Sequence, residues 1–192
     1  MTTRKVRFEY YHVTFRKKSD GNNDRDREFD LVRWIDKATK KSLEGRTYDY
    51  KDEQARLEQG YWDDELQYYC LHFVRLRDTN IPSRAKANEK VEPIELEDDE
   101  YIGEEVSALY DENHHILMLQ RNKYSLGPQG IEEYLNLVWD KEDETIYLRA
   151  ICPPDAIELA RKASEYRRIN LRLADINTRA SESILNSLKS PL

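Results

Sequence analysis

The sequence predicts an α+β domain with a strongly twisted or barrel-like, mainly antiparallel sheet and flanking helices. Two-residue periodicity recurs in consecutive segments joined by short turns, which is typical of antiparallel hairpins. Helical periodicity is confined to segments that flank these hairpins. Thirteen Tyr, three Trp and four Phe among 192 residues can build one core, and they exclude a disordered acidic chain.

The first half of the chain predicts a strand, a helix and three further strands. Residues 6–15 alternate between apolar and polar side chains and predict the first strand. Apolar residues at helical spacing then predict a helix over 27–41. Residues 46–51 and 54–62 predict a hairpin. The strand predicted over 67–77 is apolar on both faces, so we expect it near the middle of the sheet.

The second half begins with residues 78–100, which lack periodicity. Loops of this length are uncommon in compact domains and are usually functional or disordered. Residues 101–110 and 115–122 predict a second hairpin. A glycine-proline turn at 127–130 opens a helix that continues to Trp139. Residues 145–152 predict the last strand of the main domain, which we place at residues 1–152.

The remaining segment, 153–192, predicts a helix, a strand over 166–174 and a second helix. In that strand Ile169, Leu171 and Leu173 alternate with polar residues. No obvious partner strand for it exists in the chain. We therefore interpret 153–192 as the start of a second domain, and the chain as the N-terminal portion of a longer protein.

Charge is unevenly distributed around a net charge of -7. Residues 89–105 contain nine acids and one base, whereas residues 4–18 contain six bases and one acid, and residues 161–189 contain seven bases and three acids. The acidic block is either a solvated loop or an electrostatic lid over a basic groove. The second interpretation makes four consecutive acids regulatory: Glu97, Asp98, Asp99 and Glu100.

Targeting features and cysteine usage indicate a cytoplasmic protein without a membrane partner. The longest unbroken apolar run has four residues, whereas a bilayer-spanning helix needs about 20. The N-terminal residues lack the apolar stretch of a secretory signal. Cys70 and Cys152 lie in apolar strand-like runs, so we expect both to be reduced thiols in the core.

Polar clusters follow two of the predicted strands. Arg and Asn side chains at both places suit phosphate or nucleic acid, because a guanidinium binds such anions through a planar fork. If the two strands are neighbours in one sheet, the clusters meet at one rim. The alternative is that Arg75 or Arg77 pairs with Asp78 and rigidifies the loop. The candidate residues for nucleic-acid or anion binding are Arg75, Arg77, Asn80, Arg121, Asn122 and Lys123.

Catalytic and metal-binding patterns are missing from the sequence, so we expect a protein that is not an enzyme and has no cofactor. His114 and His115 are adjacent on a turn, where neighbouring side chains diverge, and neither cysteine has a partner at metal-ligand spacing. No nucleophile elbow, phosphate-binding loop or dinucleotide fingerprint occurs.

Residues 75–83 (RLRDTNIPS) and 116–122 (ILMLQRN), followed by 127–136 (GPQGIEEYLN), resemble a family of uncharacterised bacterial and mobile-element proteins. More distantly, residues 107–136 are similar in layout to the Rex phage-exclusion protein A family. Both place a helix after the first strand and a turn-linked hairpin before a helix that a Gly-Pro turn opens. This resemblance implies a DNA-associating protein of bacterial anti-phage defence.

Our leading hypothesis is a non-catalytic component of anti-phage defence or prophage exclusion that associates with double-stranded DNA. Contacts of this kind would weaken steeply as salt rises. The alternative is a protein-interaction module or homo-oligomer, a subunit of a defence complex that docks through an exposed sheet edge or the C-terminal helix. A third hypothesis is a nucleotide-sensing domain.

Overall fold

A computed structural model describes residues 6–21 and 25–152, together with residues 155, 158, 161 and 162. These residues form an eight-stranded antiparallel sheet, a two-stranded ribbon, two α-helices and one 3-10 turn. The large sheet curls into a half-barrel. The prediction of an α+β fold with a barrel-like antiparallel sheet is therefore confirmed.

The predicted strands and helices occur in the predicted order, and three two-residue strands (Arg27–Glu28, Ser83–Arg84 and Glu92–Pro93) were not predicted. The strands are β1 (Phe8–Lys17), β2 (Arg27–Glu28), β3 (Thr47–Tyr50), β4 (Glu53–Asp63), β5 (Tyr68–Arg77), β6 (Ser83–Arg84), β7 (Glu92–Pro93), β8 (Ile102–Asp111), β9 (Ile116–Gln120) and β10 (Glu144–Ala150). The helices are α1 (Leu31–Thr39) and α2 (Pro128–Trp139), and the 3-10 turn is Glu44–Arg46. The strand order is β10-β1-β9-β8-β5-β4-β3, with β2 beside β1 and the ribbon formed by β6 and β7.

Two features of the sheet match the sequence periodicity, and one helix boundary differs. β5 lies between β4 and β8, as its two apolar faces predict, and β8 and β9 form the predicted second hairpin. The first helix was predicted to begin at residue 27, which is wrong. Arg27 and Glu28 instead pair with β1, and α1 begins after Asp30, whose side chain accepts the Val32 N–H. Such a carboxylate cap fixes where a helix starts.

The core lies on the face of the sheet that both helices cover. Trp34 of α1 and Tyr134 of α2 are fully buried there with Phe73 of β5, and the Trp34 and Tyr134 rings meet edge to face with centroids 5.9 Å apart. The Trp34 indole N–H donates to the Leu135 carbonyl at 2.8 Å, which ties the two helices together. A buried aromatic polar atom thereby keeps a hydrogen-bond partner.

Tyr134 also fixes α2 to the sheet. Its hydroxyl accepts the Leu57 N–H at 2.7 Å and donates to the Arg46 carbonyl at 2.6 Å. The pairing of β4 with β5 shifts register between Leu57 and Gln59, and such irregularities disrupt the ladder locally. One hydroxyl therefore satisfies a β4 amide beside the irregularity and the carbonyl that precedes β3.

Helix α2 lies between the two edge strands of the half-barrel. The Asn136 side-chain amide donates to the Ile146 carbonyl at 2.9 Å and accepts the Ile146 N–H at 2.8 Å, while Glu132 accepts the Leu148 N–H at 2.7 Å. On its other side α2 faces β3, and Tyr50 lines a shallow cleft of about 360 Å³ together with Asn136 and Ile146. Side chains of α2 therefore cover backbone groups of the β10 edge.

Cys70 is buried as expected, on the sheet face away from the helices, whereas Cys152 is exposed, so the prediction of a core thiol is wrong for Cys152. The reason is that β10 ends at Ala150, which leaves Cys152 beyond the sheet. Nearly all of the predicted segment 153–192, including the strand over 166–174, lies outside the described residues, and the domain boundary stays a prediction. Neither helix in the described part of the chain is long and apolar enough to cross a bilayer.

Candidate functional site

The two predicted polar clusters lie at the same end of the sheet. β5 and β9 both pair antiparallel with β8, so they run in the same direction and end at one border. Arg75 on β5 reaches the segment that follows β9, where its guanidinium donates to the Tyr124 carbonyl at 3.3 Å. We call this region the rim: Arg75, Arg77, Asn80 and residues 121–124.

Each arginine of the rim is paired with a carboxylate. Arg75 binds Glu53 of β4, Arg77 binds Glu104 of β8 at 3.0 Å, and Arg121 lies 3.4 Å from Glu9 of β1. These partners differ from Asp78, which the sequence suggested for Arg75 or Arg77. Charge-assisted pairs of this kind occupy guanidinium donors that an external phosphate would need.

The remaining rim residues also make internal contacts. Asn122 donates to the Glu105 carbonyl at 2.7 Å and accepts the Tyr124 N–H at 3.1 Å, and the Lys123 ammonium lies 4.6 Å from the Tyr124 ring centroid. Asn80 has a left-handed backbone with φ of 49°, which asparagine tolerates, and its carbonyl accepts a hydrogen bond from Arg77. These contacts hold the loop after β9 against β8.

Only the end of the acidic block contacts the rim. Glu104 pairs with Arg77 and accepts the Ser125 hydroxyl at its carbonyl, and the Glu105 carbonyl accepts Asn122. The four predicted regulatory acids, Glu97–Glu100, are exposed and make no ion pair within the described part of the chain. Their regulatory role therefore stays a prediction.

A second surface, which sequence reasoning missed, lies on the sheet face away from the helices. Side chains alternate along a strand, so the neighbours of buried core residues point to this face. Register places five of them in one line across five strands, and we call this line the outer row. Tyr10 is 49% and Tyr61 45% exposed at its two ends. The outer row consists of Tyr10, Met118, Leu109, Cys70 and Tyr61.

Acidic side chains cluster beside the outer row, in the turns β4–β5 and β8–β9. We call this group the acidic end, and it lies at the opposite end of the sheet from the rim. Burial raises the pKa of Asp111, but hydrogen bonds from His114 and the Asn113 amide outweigh it and lower the pKa. None of the group pairs with Lys or Arg among the described residues. Its members are Asp63, Asp64, Glu65, Asp111 and Glu112.

Ser107 and His72 lie side by side on the same outer face. The Ser107 hydroxyl is 3.1 Å from His72 Nδ1, and the Tyr61 ring stacks on the imidazole at 6.1 Å between centroids. The two residues come from paired strands, so sequence spacing could not reveal them. Within the described residues no carboxylate bonds the imidazole, whereas a nucleophile–base pair is normally oriented by a third group. The contact therefore supports cross-strand pairing more than nucleophilic catalysis.

Metal coordination has no candidate site in the described part of the chain. No group of three His, Cys, Asp or Glu residues is placed there to hold an ion.

Comparison with known proteins identifies the family of this chain but no function. Neither a curated protein nor a solved structure matches this chain. The layout similarity to the Rex phage-exclusion protein A family gains no support from these comparisons and stays a prediction. The expected resemblance to an uncharacterised family is confirmed, because residues 1–191 match a family of unknown function, DUF6731, to which the chain belongs.

Proposed function

We propose that this domain is a non-catalytic protein-interaction module whose partner docks on the outer row and the acidic end. The observation that carries the proposal is the outer row itself, a line of apolar side chains across five strands. The tyrosines at its ends are nearly half exposed, Leu109 and Met118 are partly exposed, and Cys70 between them is buried. Contiguous apolar surface rimmed by polar residues marks interaction sites in soluble proteins.

The chemistry of the surface defines the partner. Asp111 follows Leu109, and Asp63 follows Tyr61, by two residues on the same strands, so the carboxylates lie about 7 Å from the row. Five strands spaced by about 4.8 Å give the row a length of about 19 Å. A helix of about 13 residues has that length. The surface therefore suits an amphipathic segment with one apolar face and flanking Lys or Arg.

Aromatic side chains supply most of the expected affinity. Binding energy in protein interfaces concentrates in a few residues, with Tyr, Trp and Arg enriched among them. Tyr10 and Tyr61 are nearly half exposed, so they can bury further area when a partner docks. The carboxylates of the acidic end, which have no Lys or Arg partner among the described residues, would then select a basic partner over an acidic one.

Association with double-stranded DNA, as a component of anti-phage defence, is our second proposal. The meeting of Arg75 with the segment after β9 at one end of the sheet favours it. The ion pairs of Arg75, Arg77 and Arg121 work against DNA binding. DNA phosphates would have to displace the carboxylate from each of these three arginines. The surface geometry therefore favours a protein partner.

A titration of the full chain distinguishes the two proposals. The probes are a synthetic amphipathic peptide of Leu and Lys, a matched peptide of Leu and Glu, and a labelled DNA duplex at low salt. We expect the Leu/Lys peptide to bind and the other two to bind at least tenfold more weakly, a difference of about 1.4 kcal/mol.

Variants locate the binding surface. Tyr10→Asp and Tyr61→Asp should each weaken the Leu/Lys peptide by about tenfold or more. Tyr124→Asp is the matched control, because Tyr124 is 56% exposed but lies at the rim. Equal thermal midpoints would show that the variants stay folded. The proposal is overturned if the peptide does not bind, or if all three variants weaken it equally.

A further inference from the structure

We propose that the partner of the outer row is an amphipathic helix whose two flanks carry opposite charges, with Lys or Arg toward the acidic end and Asp or Glu on the other side. This inference rests on the proposed function, because it specifies the partner of the same surface. It follows from the polar side chains that border the outer row on the side away from the acidic end.

A line of uncharged polar side chains borders the outer row on that side. Each lies two residues along its strand from a member of the row, so the line runs about 7 Å from the row, as the acidic end does on the opposite side. The side chains of this line are exposed or half-buried. We call it the donor flank, and it consists of Gln59, His72, Ser107 and Gln120.

Hydrogen bonds within the donor flank determine which groups it presents. The Ser107 N–H donates to Gln120 Oε1 at 3.4 Å, which leaves the NH2 group of that amide without a partner among the described residues. The Ser107 hydroxyl lies 3.1 Å from His72 Nδ1. When this hydroxyl donates to Nδ1, the neutral imidazole carries its proton on Nε2. Gln120 and His72 therefore both present N–H donors to the outer surface.

The presented donors select the charge of the facing side chain. A carboxylate accepts hydrogen bonds about twice as strong as those that a neutral group accepts. A Lys side chain at the same place would meet donors, because Gln120 Oε1 is already bound by Ser107. Groups that would be left unpaired count against a partner as much as good contacts count for it. The donor flank therefore favours Asp or Glu, whereas the acidic end favours Lys or Arg.

The spacing of these groups matches a helix that crosses the strands along the outer row. Gln120 on β9 and His72 on β5 are two strands apart, a separation of about 10 Å. Asp111 on β8 and Asp63 on β4 are also two strands apart. Seven residues of α-helix rise about 10.5 Å. Two acids seven residues apart on one flank of the partner, and two bases seven residues apart on the other, would therefore reach all four groups.

Two peptides of identical composition test the inference on the full chain. Both have a Leu stripe and equal numbers of Lys and Glu. The split peptide has all its Lys on one flank and all its Glu on the other, whereas the interleaved peptide alternates them on both flanks. We expect the split peptide to bind about tenfold more tightly in fluorescence anisotropy. Circular dichroism checks that the two peptides have equal helix content.

Variants of the donor flank locate the effect. Gln120→Glu keeps an acceptor for the Ser107 N–H but replaces the presented donor with a negative charge. It should weaken the split peptide by about tenfold and tighten the Leu/Lys peptide. Gln59→Glu repeats the test at an exposed position of β4. Gln129→Glu, which is exposed on α2, adds the same charge away from the outer face and should change neither affinity.

Two results would overturn the inference. One is equal affinity of the split and interleaved peptides, and the other is an equal effect of Gln120→Glu and Gln129→Glu. In either case, binding of the Leu/Lys peptide that depends on Tyr10 would leave the proposed function standing. If none of the peptides binds, both the inference and the proposed function fail.

Discussion

The side-chain amide of Asn136 pairs with both backbone groups of Ile146, as a neighbouring β-strand would. Glu132, one turn earlier in α2, accepts the next outward-facing N–H of β10, that of Leu148. Edge strands that present free backbone groups invite pairing with other chains. Helix α2 therefore satisfies part of the β10 edge, which explains why we place the docking surface on the outer face and not at this edge.

Replacing Asn136 should destabilise the domain. Asn136→Ala leaves the N–H and carbonyl of Ile146 without their partner, and we expect a loss of about 1–3 kcal/mol in the free energy of unfolding. Chemical denaturation followed by tryptophan fluorescence measures it. Asn113→Ala in the exposed β8–β9 turn is the control, with an expected change within about 0.5 kcal/mol. Equal midpoints for the two variants would contradict the role of Asn136.

The Tyr134 hydroxyl should contribute measurably to stability. Tyr134→Phe removes the acceptor of the Leu57 N–H and the donor to the Arg46 carbonyl, both buried. We expect a loss of about 1–3 kcal/mol in urea denaturation. Tyr124→Phe removes a hydroxyl from an exposed ring and should change little. If both variants unfold at the same urea concentration, the hydroxyl does not fix α2.

Alkaline pH should unfold the domain. Burial raises the pKa of Tyr110 and Tyr134 above the ordinary 10.0. Above pH 10 the unfolded chain loses these protons while the native state retains them, so the contribution is complete below pH 10 and falls as pH rises. The slope is up to about 1.4 kcal/mol per pH unit for each tyrosine.

Denaturation series between pH 8 and pH 11, with tyrosinate absorbance as a second signal, measure this dependence. Tyr110→Phe also removes the acceptor of the Leu31 N–H at the start of α1, so it should lower stability at pH 8 but flatten the alkaline slope. A slope unchanged in both Tyr→Phe variants would assign the alkaline loss to other groups.

Gly130 is restricted by close packing. A Cβ atom at this position would lie 2.8 Å from the Tyr50 hydroxyl oxygen. Gly130→Ala should therefore force the Tyr50 ring or α2 to shift, at a cost of about 1–3 kcal/mol. Gly103→Ala, where a Cβ meets nothing within 4 Å, is the control. Thermal unfolding compares them, and a midpoint for Gly130→Ala at or above that of Gly103→Ala would contradict the packing argument.

Removal of the rim carboxylates tests the second proposal. Glu53→Gln with Glu104→Gln removes the negative charges paired with Arg75 and Arg77, so we expect affinity for a DNA duplex to rise and its salt dependence to steepen. Fluorescence anisotropy at low and moderate salt measures both. The control is Glu97→Gln with Glu100→Gln, which removes the same two negative charges from the exposed loop. A larger gain from this control would support an inhibitory acidic loop instead.

Local sequence patterns predicted the main strands, because the alternation that marks a strand involves residues that are neighbours in the sequence. The hairpins and the central position of β5 follow from alternation and two-sided apolarity. The start of α1 was missed because Asp30 caps the helix while Arg27 pairs with β1, and periodicity alone reports neither.

Contacts between distant residues were less accessible from the sequence. Strand direction was enough to place the two polar clusters at one end of the sheet. The partner of Arg75, however, is Glu53 on another strand, and the register between the strands determines which residues can pair there. The outer row also depends on register, and on both helices covering the same face. Its signal in the sequence was the apolar outer face of β5 and β9, where Cys70 and Met118 lie.

Helix α2 joins the two margins of the curled sheet through side chains, where a closed barrel would use a further strand ladder. The circumference of the half-barrel is then set by the size of a few residues on one helix, among them Asn136 and Tyr134. Members of the family could widen or narrow the barrel by substituting these positions, with every interstrand register left as it is.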